Sequence, residues 1–147
     1  MPALTVYAVR IALSYLGTGF TIGALMLGAR GVSASSELLP LRPLHLEILL
    51  FGWTVQLAFG AFWTLPRRSG LGRGNERLAW GSLLLLNLGV LTVGVGGTLG
   101  VSPGILIAGR LAELLAGLAF AAHAWPRARL YSARNPASKD EAQPKTG

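Results

Sequence analysis

Four long apolar runs dominate this chain, at 4–29, 44–65, 78–96 and 104–125. Each is long enough, or nearly so, to cross a hydrocarbon core of about 30 Å as a helix. No water is present there to satisfy backbone N–H and C=O groups, so each run must close its hydrogen bonds within itself. Composition agrees: 52% of residues are hydrophobic and only 13% charged, about half the charged fraction of a soluble domain. The expected fold is all-α, an integral-membrane four-helix up-down-up-down bundle occupying residues 1–126, because the links are short. Residues 127–147 form a basic tail expected to be disordered. The first run is too long for the apolar part of a signal peptide, and Arg10 lies within it rather than in a short basic head.

The positive charges give an orientation. Net charge is +7. The link between the second and third helices carries Arg67, Arg68, Arg73 and Arg77, and the tail carries Arg127, Arg129, Arg134, Lys139 and Lys145. The link between helices one and two holds only Arg30 and Arg42, and the short link near Ser102 holds none. The positive-inside rule therefore puts both termini and the middle link in the cytoplasm of a cell (inner) membrane. Nucleic acid is excluded as a partner, since these arginines flank membrane spans; their partner is the bilayer. The absence of cysteine excludes disulfides, thiolate metal sites and thiol catalysis.

Polar residues within the runs are few, and an ionisable group at membrane depth usually has a partner or a task. They are His45, Glu47, Gln56, Asn87, Arg110, Glu113 and His123, with hydroxyls on Ser14, Tyr15, Thr18 and Thr21. His45 opens the second helix just after Pro43, whose missing N–H is harmless in a first turn. At about 100° per residue, Leu49, Gly52, Gln56 and Trp63 share its face, while Glu47 points nearly the opposite way. Gly52 would leave a gap below the imidazole deep enough for a flat ring. A neutral imidazole so placed is a good axial ligand for haem iron; the alternative is a lipid headgroup contact. His123, on the order of 30 Å away across the membrane, cannot share a metal with His45 within one protomer. Beside Trp125 and Arg127, it is expected to contact headgroups.

Arg110 has two open roles. One is an intrahelical ion pair with Glu113; the other is a contact to a haem propionate, which a planar guanidinium can bind bidentately. Arg42 and Arg30 are further propionate candidates. Gly19 and Gly23 form a small-xxx-small face that lets another helix, or failing that a planar cofactor, approach the backbone. Gly94, Gly96 and Gly97 are expected to lie at a frayed helix end, and Asn87 to hydrogen-bond another helix.

The run Leu41-Arg42-Pro43-Leu44-His45, continuing through Leu46–Trp53, resembles the start of the second transmembrane helix in subunit I of the haem–copper oxidase superfamily, especially its divergent oxidase and nitric oxide reductase branches. Phe62-Trp63-Thr64-Leu65-Pro66-Arg67 is similar to the exit of that helix, and Gly17–Gly23 to the family's glycine-rich first helix. The resemblance covers about Arg10 to Arg68. It implies that His45 is an axial ligand of haem b. The later helices, with the second low-spin ligand, the high-spin ligand and the copper-site histidines, have no counterpart here, so no copper centre and no complete oxidase is expected. The expected protein is a small membrane haem b protein for electron transfer or diatomic gas binding. A homodimer would offer His45 of each copy to one shared haem, and a respiratory-chain partner is implied. Nothing like a catalytic nucleophile–base constellation is visible, so enzymatic activity is not expected. The rival is a haem-free structural or assembly subunit of a respiratory membrane complex, with His45 and Arg110 holding helices together.

Overall fold

The structure is a computed structural model in which residues 3–31, 38–64 and 76–133 are described, with residues 30–31, 63–64 and 126–133 given by their backbone alone. Apart from Leu38 and the turn at 100–102, every described residue is helical. Helix α1 is Ala3–Gly31. Helix α2 is a composite rod: a 3-10 turn at Leu39–Leu41, an α segment Arg42–Glu47, a π segment Ile48–Val55 and an α segment Gln56–Thr64. Helix α3 is Glu76–Leu99 and α4 is Pro103–Ala133. Four stretches, Ala3–Ala29, Leu39–Phe62, Glu76–Leu99 and Pro103–Trp125, are long and apolar enough to cross a membrane. This is an all-helical, multi-pass membrane protein.

Pro43 stands in the first turn of the α segment, as its chemistry favours. The tail expectation needs a correction, because α4 does not stop near Pro126 but continues to Ala133; proline removes one N–H without ending every helix. Residues beyond 133, the side chain of Arg30, and Arg67, Arg68 and Arg73 lie outside what is described.

Small residues set the spacing between helices. Contacts between α1 and α2 descend along α1 as they ascend along α2: Gly23 meets His45, Gly19 meets Leu49, the Tyr15 ring meets Gly52, and Ala8 and Val9 meet Gly60. The α3–α4 seam is similar, with Gly96 against Leu106, Gly109 against Val93, and Gly89 against Glu113. Here the approach is backbone to backbone. A Cβ on Gly89 would lie 2.9 Å from the Gly109 carbonyl oxygen and 3.1 Å from the Glu113 amide nitrogen. Without a water-driven hydrophobic effect between helices, such close van der Waals packing is a main source of association.

Gly94, Gly96 and Gly97 are not a frayed end. Helix α3 runs on to Leu99; Gly94 seats Leu44, Gly97 seats Pro43, and Gly96 seats Val101 and Leu106. The turn comes at Gly100, whose φ of 67° suits only glycine comfortably. The Val101 amide then donates to the Gly96 carbonyl at 3.0 Å, satisfying an orphan carbonyl at the helix end.

Two apolar clusters form the interior. One joins Leu4 and Ala8 of α1 to Ala79 and Leu83 of α3. The other joins Ile48, Leu86, Val90 and Ala116, with Tyr15, Phe51 and Phe59 packed around them. Large apolar side chains such as Phe20, Leu27, Leu84 and Leu118 cover the outside. In water that surface would be a liability; against lipid it is the matching one.

Candidate functional site

Helix α2 carries polar chemistry on two opposite sides, at about one depth. On the side facing α1, the His45 Nδ1–H donates to the carbonyl oxygen of Gly19 at 2.9 Å. A carbonyl can only accept, so the proton sits on Nδ1 and a neutral imidazole keeps its lone pair on Nε2. The ring lies across Gly23, where a Cβ would stand 2.8 Å from Cε1. Glycine at 23 is thus what lets the imidazole reach the α1 backbone. Among the described residues, the Gly19 carbonyl is the imidazole's hydrogen-bond partner, and the half-buried ring leaves Nε2 without a bond.

One turn further on, the π segment receives Tyr15. A Cβ on Gly52 would come within 2.8 Å of the Tyr15 ring, and the phenol donates to Asn87 Oδ1 at 3.0 Å. Asn87 Nδ2 in turn donates to the Leu83 carbonyl at 2.7 Å, which fixes the amide's orientation. The widened hydrogen bonding of the π segment shows in Gln56 N–H to the Phe51 carbonyl, five residues back, and in Thr54 Oγ1 to the Leu49 carbonyl at 3.0 Å. Gln56 itself is fully buried and donates to the Ala8 carbonyl at 3.3 Å.

On the other side of α2, three ionisable groups converge. Arg110 of α4 holds Glu47 bidentately, Nη1–H to Oε1 at 2.9 Å and Nη2–H to Oε2 at 2.7 Å. Its Nη1 also donates to Glu113 Oε2 at 2.7 Å. The two carboxylates are buried, while half of the arginine side chain, 51%, remains exposed. The guanidinium carbon stands 5.4 Å from the centre of the Phe51 ring, a cation–π contact. Arg110 and Glu113 stand at one end of a cavity of about 440 Å³ between α2 and α4, lined by Phe51, Phe59, Gly117 and Leu118 and floored by Leu86 of α3. Phe59 stacks on Phe120 at 3.8 Å below it.

The residues singled out from the sequence are therefore divided. Leu49, Gly52 and Gln56 do share the His45 side of α2, and Glu47 does face away. Gly19, Gly23 and Gly52 each seat a side chain of this same chain: Leu49, His45 and Tyr15. The flat ring in the gap beside Gly52 is the protein's own phenol. Arg42 is exposed at the start of α2. Arg110 does pair with Glu113, one of the two roles left open for it, but His45 and Arg110 lie on opposite sides of α2 and are not brought together. His123 corrects its expectation: it is 2% exposed, one of the most buried side chains, and not a headgroup contact. Asn87 bonds another helix, as expected.

Sequence reasoning missed the Glu47–Arg110 bridge. Its signal was present, since Glu47 and Arg110 are opposite charges that each lie within the first turns of an apolar helix. Among the described residues no cluster of three or more metal-ligating side chains occurs. Comparison with protein-family models, with curated proteins and with solved structures finds no match to this chain.

Proposed function

We propose that this is a multi-pass protein of the cell membrane, an up-down-up-down bundle with both termini cytoplasmic, that binds haem b through Nε2 of His45. The observation that carries the proposal is the hydrogen bond from His45 Nδ1–H to the Gly19 carbonyl. Ligating histidines characteristically donate their other ring nitrogen to a carbonyl or carboxylate, which fixes the tautomer and aims the ligand lone pair. His45 is held in that way, with Nε2 left over. Arg42, exposed at the start of the same helix, suits a propionate. Arg110 and the three glycines suit the group less well, because Glu47, Glu113 and the chain's own side chains already take them up. The haem face is then not a groove inside the α1–α2 pair but the outward side of His45, which fits a homodimer presenting His45 of each copy to one shared group. When bound, haem supplies one-electron transfer or a site for a diatomic gas. The protein's part is to hold one imidazole in one tautomer near one membrane face.

Purified protein from haem-replete cells tests this. The expected outcome is a Soret band with bis-imidazole low-spin signals and half a haem per protomer. The signals vanish in His45→Gln, whose amide can still donate to Gly19, and persist in His123→Ala. Protein that is folded and free of haem under those conditions overturns the proposal. It would instead favour a haem-free structural or assembly subunit of a respiratory membrane complex. That second reading has its own support: His45 ties α2 to α1 and Arg110 ties α4 to α2.

A further inference from the structure

Arg10 breaks the pattern of this membrane surface. Charged groups within spans characteristically turn inward and pair with one another, as Glu47, Arg110 and Glu113 do. Arg10 belongs to the span Ala3–Ala29, about 10 Å along α1 from its start at 1.5 Å per residue, yet its side chain is exposed. Among the described residues it makes no ion pair, and the carboxylates of Glu47 and Glu113 are already held by Arg110.

The face of α1 that carries this guanidinium differs from the rest of the outer surface. Arg10, Ser14, Gly17, Thr21, Ala24 and Gly28 recur at alternating steps of four and three, the spacing of a helix–helix seam. At about 100° per residue they fall in a strip roughly 80° wide, on the side away from Gly19 and Gly23, which face α2. All six are exposed, and a Cβ on Gly17 or Gly28 would meet nothing within 4 Å. Large exposed side chains border the strip, Leu13 and Phe20 on one side, Tyr7 and Leu25 on the other, so it forms a groove. The outer face of α4 is built the opposite way: Ile107, Leu111, Leu114 and Leu118 have the same spacing and are all large. Within the groove, Ser14 and Thr21 donate to the carbonyls of Arg10 and Gly17 at 3.0 and 2.9 Å and need nothing further. The guanidinium does.

Two considerations narrow the occupant. Small side chains reward a helix, whose backbone can come close, more than they reward a lipid tail. A second copy of α1 would run parallel in the membrane, so a two-fold seam on this face would set Arg10 against Arg10. We propose that the groove docks a transmembrane helix of another protein, one with a carboxylate level with Arg10 and small side chains along the rest of the seam. The carboxylate takes the guanidinium in a charge-assisted pair, which fixes register and rejects a cationic helix. Gly17, Thr21, Ala24 and Gly28 allow the close approach. The seam lies on the far side of α1 from His45 and does not depend on haem.

The full chain, labelled with a fluorophore through Ser138→Cys, is reconstituted in phosphatidylcholine vesicles with labelled single-span peptides. The peptides are leucine-rich, carry glycine and serine along one seam, and differ only in Glu or Lys level with Arg10. Saturable energy transfer is expected with the Glu peptide and is tenfold or more weaker with the Lys peptide, the preference reversing in Arg10→Glu. Gly17→Leu fills the groove without meeting this chain's own atoms and should weaken the Glu peptide tenfold or more; Gly81→Leu on α3, equally open, should not. Absence of saturable transfer, equal binding of the two peptides, or unchanged binding in Gly17→Leu overturns the proposal. So does loss of the Glu peptide's advantage when phosphatidylglycerol is added, which would assign Arg10 to a lipid phosphate.

Discussion

Two carboxyls and one guanidinium meet at membrane depth, and what each contributes depends on the other two. Glu47 and Glu113 are buried and share Arg110 as the cation that offsets them. Removing one partner of a buried pair is strongly destabilising because the remaining charge is left uncompensated. Arg110→Gln is therefore expected to lower stability by about 3–5 kcal/mol, read as unfolding in detergent. The triple variant Arg110→Gln, Glu47→Gln, Glu113→Gln should recover most of that loss, since three amides can pair with one another. A single Arg110→Gln as stable as the parent would show that the bridge holds nothing together. Tyr15 is a milder case: Tyr15→Phe removes the bond to Asn87 but keeps the ring against Gly52. It is expected to cost about 1 kcal/mol, as for a typical hydrogen bond.

At the scale of the element, glycines decide which helices touch and how. Gly89 lies against backbone atoms of α4, which cannot move aside singly, whereas Gly81 on the same helix has open space around it. Gly89→Ala is expected to destabilise by about 1–3 kcal/mol through overpacking, and Gly81→Ala to be neutral or slightly stabilising through helix propensity. Equal effects in a thermal unfolding comparison would contradict the seam. The π segment of α2 raises a similar question. Gly52 and Tyr15 occupy one another's space, so Gly52→Ala should be damaging alone and largely tolerated when combined with Tyr15→Ala. Such non-additivity is the signature of a direct contact. Periodicity at 100° per residue put Leu49, Gly52 and Gln56 on one face without revealing the π turns. A glycine and a threonine in an apolar run mark no fixed hydrogen-bond pattern by themselves.

At the scale of the whole molecule, the pattern of contacts and the placement of arginines both bear on orientation. The chain lacks cysteine, so single introduced thiols report sidedness directly. Ser138→Cys is expected to react only with reagents that reach the cytoplasm, and Ser102→Cys only with impermeant reagents added outside; labelling of both from one side would contradict the single crossing by α4 that separates them. Four apolar runs in the sequence were enough to establish that this protein is helical and membrane-spanning, because hydrocarbon leaves the backbone no other way to satisfy itself. Position along each helix was legible as well, since His45 and Arg110 both lie near the start of their apolar runs. Only the tertiary structure decided which neighbours those residues have. The rotation of one helix against another is set by small side chains that allow close approach, and a single sequence does not say which glycine receives which partner. So it was the fold that turned His45 toward Gly19, paired Arg110 with Glu47, buried His123, and left a groove beside Arg110 open to the lipid.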